Sequence, residues 1–152
     1  MLGKNRIYAL ENPSYKKIGQ VYRANGVKTL FLPLLNDGIS SEHLNKTPAT
    51  VLHITPYRSF PSRVSASASK KSEYIRWAKD GDRIIVEDDF ESEFTLLKKS
   101  EETVFSLSGG SNVIYVNTFS KTISPSIRTA YMLLPENMIC LLYTSDAADD
   151  KA

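Results

Sequence analysis

Two short stretches concentrate the residues able to do chemistry. In the first, the apolar run Ile84-Ile85-Val86 leads straight into Glu87-Asp88-Asp89. A carboxylate delivered by a buried strand is only partly hydrated, so it calls for a cationic or hydrogen-bonding partner. In the second, Val113 to Val116 delivers Thr118-Phe119-Ser120-Lys121. A lysine in a partly desolvated pocket has a lowered pKa, and its free amine is a nucleophile. Each pattern has a blander reading that the residues alone leave open. An Asp-Asp pair can cap a helix, sit in a solvated loop or ligate a metal, and a lysine at a strand end can simply be solvated.

The elements that must position these residues alternate along the chain. Strand patterns cover Arg6–Leu10, Val27–Leu32, Val51–Ile54, Arg83–Val86, Val113–Val116 and Tyr131–Leu134, each rich in β-branched or aromatic residues. Asn12-Pro13 ends the first and Pro33 the second, ahead of the turn Asn36-Asp37-Gly38. Tyr15–Asn25 reads as a helix with Ile18, Val21 and Tyr22 at helical spacing and Gly26 at its stop. A short helix is expected over Ser41–Asn45. Ser69 is a candidate cap for a third helix running to Lys79, with Tyr74, Ile75 and Ala78 on one face. Strands alternating with helices predict an α/β fold with a mostly parallel sheet, in which ligands gather at the carboxyl ends of the strands.

Bulk properties narrow the class without naming a function. The 152 residues suffice for one domain with a real core, and 41% hydrophobic with 24% charged residues is a soluble composition. No apolar run approaches the roughly 18 residues that span a bilayer, and the N-terminus lacks a signal-peptide pattern. One cysteine, Cys140, excludes an internal disulfide framework and fits a reducing, cytoplasmic compartment. A net charge of +2 gives no electrostatic reason for nucleic-acid or membrane binding by this segment. His43 and His53 belong to no motif and read as structural; no residue is assigned to a metal.

An acid and an amine at neighbouring strand ends are the pair that Schiff-base chemistry uses: the lysine holds an aldehyde cofactor and the acid keeps its pyridine nitrogen protonated. Four blocks add a resemblance. Glu87-Asp88-Asp89-Phe90-Glu91-Ser92-Glu93-Phe94 looks like the EDDYDSEF signature of GntR/MocR-type regulators, whose effector domain has the fold-type I aminotransferase architecture. The stretch from Thr118 to Arg128, TFSKTISPSIR, resembles their TFSKTLxPxLR block. Thr55 to Arg63, TPYRSFPSR, is similar to TPxxxFPTG, and Glu11 to Tyr15, ENPSY, to ExPxY. The blocks occur in the family's order and together span roughly residues 8–138.

The resemblance implies an incomplete aminotransferase-type large domain that binds pyridoxal 5'-phosphate (PLP). Lys121 would form the Schiff base, Asp88 would pair with the pyridinium nitrogen, and Arg128 and Thr118 would hold the phosphate. Phe90 stands beside the cofactor where the family has Tyr, so a hydrogen bond to its phenolic oxygen is lost. Arg63 replaces a motif Gly and would be strained if that position needs a positive φ; Ala130 replaces another. The implied ligand is an amino acid or amine, and the implied parent is a homodimer that reaches DNA only through an N-terminal domain not in this chain. An amino-acid aminotransferase and an inactive truncated fragment remain as alternatives. The resemblance also leaves a helix N-terminus for the phosphate, a stacking aromatic and a substrate-binding arginine to segments outside the chain. The tail from Cys140 resembles a translated sequencing adapter, so native sequence is expected over 1–139 and a foreign tail over 140–152.

Overall fold

The computed structural model describes residues 2–90, 102–119 and 129–139. Eleven elements alternate among them: β1 (Ile7–Asn12), α1 (Lys16–Ala24), β2 (Lys28–Leu35), β3 (Gly38–Ile39), α2 (Ser41–Lys46), β4 (Val51–Ile54), α3 (Ala68–Lys79), β5 (Ile84–Asp89), α4 (Val104–Leu107), β6 (Val113–Thr118) and β7 (Ala130–Leu133). The strands form one sheet in the order β3-β2-β1-β4-β5-β6-β7. The five inner strands are parallel, and short antiparallel strands close both edges.

Chain direction explains where the helices lie. The connection β1-α1-β2 moves one way across the sheet, whereas β4-α3-β5 and β5-α4-β6 move the other way. Crossovers of one hand therefore place α1 on one face and α3 and α4 on the opposite face. Packing follows suit. Tyr22 of α1 meets Tyr8, Val51 and Val86 on one side. Tyr74, Trp77 and Ala78 of α3 meet Ala9, Leu52, Ile54 and Ile85 on the other, together with Leu44 of α2 and Val104 of α4.

Several expectations need correction. β2 continues through Pro33 to Leu35, because proline at that position falls at the last pair of the β1–β2 ladder, opposite Asn12. Val21 is 60% exposed, so α1 buries Ile18, Gly19 and Tyr22 to differing extents and turns Val21 outward. The cap of α3 is Ser67, whose side chain accepts from the Lys70 amide at 3.2 Å; Ser69 bonds to the Ser67 hydroxyl instead. The one-turn helix α4 has no counterpart among the helices that the sequence pattern predicts. The parallel α/β character, the α3 face with Tyr74, Ile75 and Ala78, and Gly26 at the end of α1 with φ 73° agree with the sequence pattern. Among the described residues no helix is long and apolar enough to cross a membrane.

Gly38 shows how tightly the β3 edge docks on α3. Its φ is 135°, and a Cβ there would lie 2.5 Å from the Tyr74 hydroxyl and meet the Lys70 stem. Tyr74 cannot give way, since its hydroxyl accepts from the Ile39 amide at 2.7 Å. Gly38→Ala is therefore expected to lower unfolding free energy by about 2 kcal/mol or more, read by urea unfolding through fluorescence of the buried Trp77.

Candidate cofactor site

The order of the parallel strands reverses between β1 and β4: from β1 the chain goes outward to β2, and from β4 it goes the opposite way to β5 and β6. Such a switch point opens a crevice at the carboxyl ends of the strands. A cleft of about 450 Å³ lies there, lined by Tyr15, Ile18, Thr55, Phe60, Asp88, Phe90 and Thr118. Three residues singled out from sequence, Asp88, Phe90 and Thr118, are thus brought together at the carboxyl ends of two neighbouring strands. Lys121 and Arg128 lie outside the described residues, as does the tail from Cys140.

The pleat of β5 decides which acid faces the cleft. Glu87 and Asp89, both fully buried, point to the α3–α4 face. Glu87 accepts from the Val104 and Phe105 amides, each at 2.8 Å, and from the Tyr57 hydroxyl at 3.1 Å. Burial nevertheless holds its carboxyl above the ordinary range, against the pull of those donors. Asp89 accepts from the Tyr115 hydroxyl at 2.7 Å, which in turn accepts from Asn117 at 3.0 Å. Asp88 alone of the three points to the α1 face, where its side chain is 29% exposed. There His53 Nε2 approaches Asp88 Oδ2 at 3.5 Å, and His53 Nδ1 meets the Tyr22 hydroxyl at 2.8 Å. His53 reads from sequence as structural. No local motif marks it, because its partners come from two other elements.

The loop after β4 is tied to β1 by a third buried acid. Glu11 accepts from the Thr55 amide and hydroxyl and from the Ser59 hydroxyl, the last at 2.7 Å. That clamp crosses the switch point and places Thr55 and Phe60 at the cleft. Tyr15 and Phe60 meet edge to face, with ring centroids 6.1 Å apart. With Phe90 they give the cleft three aromatic rings among the described residues, although the resemblance leaves a stacking aromatic to segments outside the chain. Thr118 Oγ1 donates to the Thr129 carbonyl at 3.2 Å, which leaves its oxygen able to accept. Among the described residues no cluster of His, Cys, Asp or Glu could hold a metal.

Solved structures share this architecture. The kynurenine aminotransferase of Pyrococcus horikoshii, solved with PMP, superposes with a TM-score of 0.84 at 23% identity, covering 98% of this chain and 39% of that one. The chain has the aminotransferase fold. Among curated proteins, the aminotransferase-fold chain is 26% identical over 129 residues to "Uncharacterized HTH-type transcriptional regulator YdeL" of Bacillus subtilis, covering 85% of this chain. It is equally 26% identical over 129 residues to "Probable rhizopine catabolism regulatory protein MocR" of Rhizobium meliloti, again covering 85% of this chain. The chain spans 28% of the length of YdeL and 26% of that of MocR. No family model matches it. These relatives are of the MocR regulator type named by the sequence blocks, and the fold agrees with part of an aminotransferase large domain.

Two outcomes follow from the loop and its clamp. Arg63 has φ 61°, the left-handed region suspected where the motif has Gly. Arg63→Gly relieves about 1–2 kcal/mol of strain and gives back about 0.5–1 kcal/mol in unfolded-chain entropy. A net stabilisation of up to about 1.5 kcal/mol, and no destabilisation, is expected in urea unfolding. Burial also holds the Glu11 carboxyl above its ordinary value, despite the Thr55 and Ser59 donors. A carboxyl with a raised folded pKa contributes stability that is complete below its unfolded value of 4.5 and is lost as pH rises through the folded value. Unfolding free energy measured from about pH 5 to pH 8 should therefore fall less steeply in Glu11→Gln than in the wild type; Glu87, shifted in the same direction, leaves a residual slope.

Proposed function

We propose that this chain is the core of a large domain that binds pyridoxal 5'-phosphate. In this reading Asp88 faces the pyridine nitrogen, Lys121 takes the aldehyde, Thr118 and Arg128 hold the phosphate, and Phe90 lies beside the ring. One observation carries it: among the described residues a single carboxylate, Asp88, stands in a cleft otherwise lined mainly by aromatic and aliphatic side chains. A partly desolvated negative charge favours a cationic partner, and aromatic walls favour a flat ring, so a pyridinium suits both. The bound group would supply an electron sink for a carbanion formed on an amino substrate. Asp88 would keep the ring nitrogen protonated, and the Thr118 hydroxyl, turned from the Thr129 carbonyl, would donate to a phosphate oxygen. Phe90 offers no donor to the cofactor's phenolic oxygen. The roles of Lys121 and Arg128 rest on the sequence blocks alone.

The curated relatives favour a parent regulator of the MocR type, in which this domain senses PLP or an amino compound and the protein acts as a homodimer. DNA contact then belongs to another segment, since the described residues build one α/β sheet and the chain spans 28% of YdeL. The aminotransferase neighbour favours a second reading, amino-group transfer between an amino acid and a keto acid, with Lys121 as the base that moves the substrate α-proton. In either case the isolated chain is expected to show no transaminase turnover.

Incubation with PLP, borohydride reduction and mass mapping test the assignment. The adduct is expected on Lys121. Asp88→Asn should weaken PLP binding about tenfold or more, whereas Asp89→Asn should chiefly lower stability through its buried bond to Tyr115. An adduct on another lysine, or an Asp88→Asn chain that binds PLP as the wild type does, would sink the reading.

A further inference from the structure

We propose that His53 is a positioning residue for Asp88: held at Nδ1 by the Tyr22 hydroxyl, it presents an Nε2–H to the Asp88 carboxylate and fixes that carboxylate toward the cleft. What Asp88 then meets rests on the PLP reading above; the His53 contact does not.

Three observations carry the assignment. The Tyr22 hydroxyl is buried beside Tyr8 and near Asp88, and these surroundings push its pKa well above the ordinary value. It therefore keeps its proton, and His53 Nδ1, 2.8 Å away, is placed to accept it. An imidazole that accepts at Nδ1 carries its proton at Nε2. Second, Nε2 is buried and has no hydrogen-bond partner among the described residues, yet it lies 3.5 Å from Asp88 Oδ2. A small side-chain rotation of Asp88 would close that gap to an ordinary hydrogen bond. The opposite tautomer would aim a lone pair at a carboxylate and leave the same buried nitrogen unsatisfied.

Third, the backbone explains why Asp88 needs such a partner. β4 and β5 run parallel with His53 paired to Val86, so the imidazole and Asp88 lie diagonally on one face of the sheet. The ladder fixes the Asp88 Cα, but its side chain stands at the edge of the cleft, 29% exposed, where its torsions are open. A donor anchored from α1 through Tyr22 restricts them. Glu87 and Asp89 have their own donors on the far face and cannot serve the cleft. An acid aligned in advance binds a ring cation without first losing side-chain entropy.

The 152-residue chain without cofactor provides the decisive measurement. Long-range proton–nitrogen correlation spectra should show His53 as the Nε2–H tautomer. Tyr22→Phe, which removes only a hydroxyl, should shift it toward a mixture of tautomers. The Asp88 carboxyl carbon resonance should move in His53→Phe. Titrated with PLP, His53→Phe should bind about tenfold more weakly, while His43→Phe, whose Nδ1 contacts Ser40 away from the cleft, should bind as the wild type does. An Nδ1–H tautomer, an unmoved Asp88 resonance, or unchanged PLP affinity in His53→Phe overturns the inference. Wild-type spectra as expected but no PLP binding would overturn the function proposed above, while supporting the His53 contact.

Discussion

The fold depends on how β5 disposes of three consecutive acids. Glu87, Asp88 and Asp89 lie in a strand with neighbours on both sides, and the pleat sends the outer two to one face and the middle one to the other. The two that enter the α3–α4 side are fully buried, and each is answered: Glu87 by the first amides of α4 and by Tyr57, Asp89 by Tyr115. A slip of one residue would drive Asp88 into the apolar cluster around Tyr74 and Ile85 and turn two acids toward the cleft. Ladders to both β4 and β6 prevent it, pairing His53 with Val86 and Asp88 with Val116. The same register places Thr118 on the cleft side of β6, two residues beyond Val116.

The cleft is assembled from distant parts of the sequence, so something must hold its two walls together. The chain leaves β1 toward one face and β4 toward the other, which opens the crevice. Glu11 bridges it from the end of β1 to Thr55 and Ser59 beyond β4. The tied loop then turns through Arg63, whose positive φ is stabilised by the Ser59 amide donating to the Val64 carbonyl and by the Arg63 amide donating to the Ser59 carbonyl. Local strain of this kind persists only where surrounding contacts over-determine the backbone, and here they come from the loop that carries Phe60 to the cleft.

Much of this was legible in the sequence because strand and helix periods differ so clearly along the chain. The apolar runs ending at Ile54, Val86 and Val116 mark central parallel strands, and three of the four motif blocks fall at their carboxyl ends, the fourth at the end of β1. Other features depend on contacts that a sequence does not display. Ser67 and Ser69 flank the first residue of α3, and the choice between them is made by the loop, where the Ser67 amide is tied to the Asp37 carbonyl. α4 has four residues and owes its start to a carboxylate on β5 as well as to its own Thr103 cap. Pro33 looks like a strand stop until the ladder shows that no further β1 residue needs its missing amide. His53 is a polar residue in an apolar strand, and only the register reveals what it touches.

The composition of the cleft bears on what it can hold. Among the described residues Asp88 is its one acidic side chain, and Tyr15, Ile18, Phe60 and Phe90 make most of the remaining wall. An anionic ligand lying against this part of the cleft would meet a carboxylate whose charge the neutral His53 does not cancel, and a neutral one would leave that charge desolvated with His53 as its one donor among the described residues. A flat ligand with one cationic nitrogen avoids both costs, provided its other polar groups reach the hydroxyls of Thr55 or Thr118 at the rim. The histidine behind Asp88 sharpens that preference. It sets the direction of a half-buried acid before any ligand arrives, so the cleft selects for the position of the charge as well as for its sign.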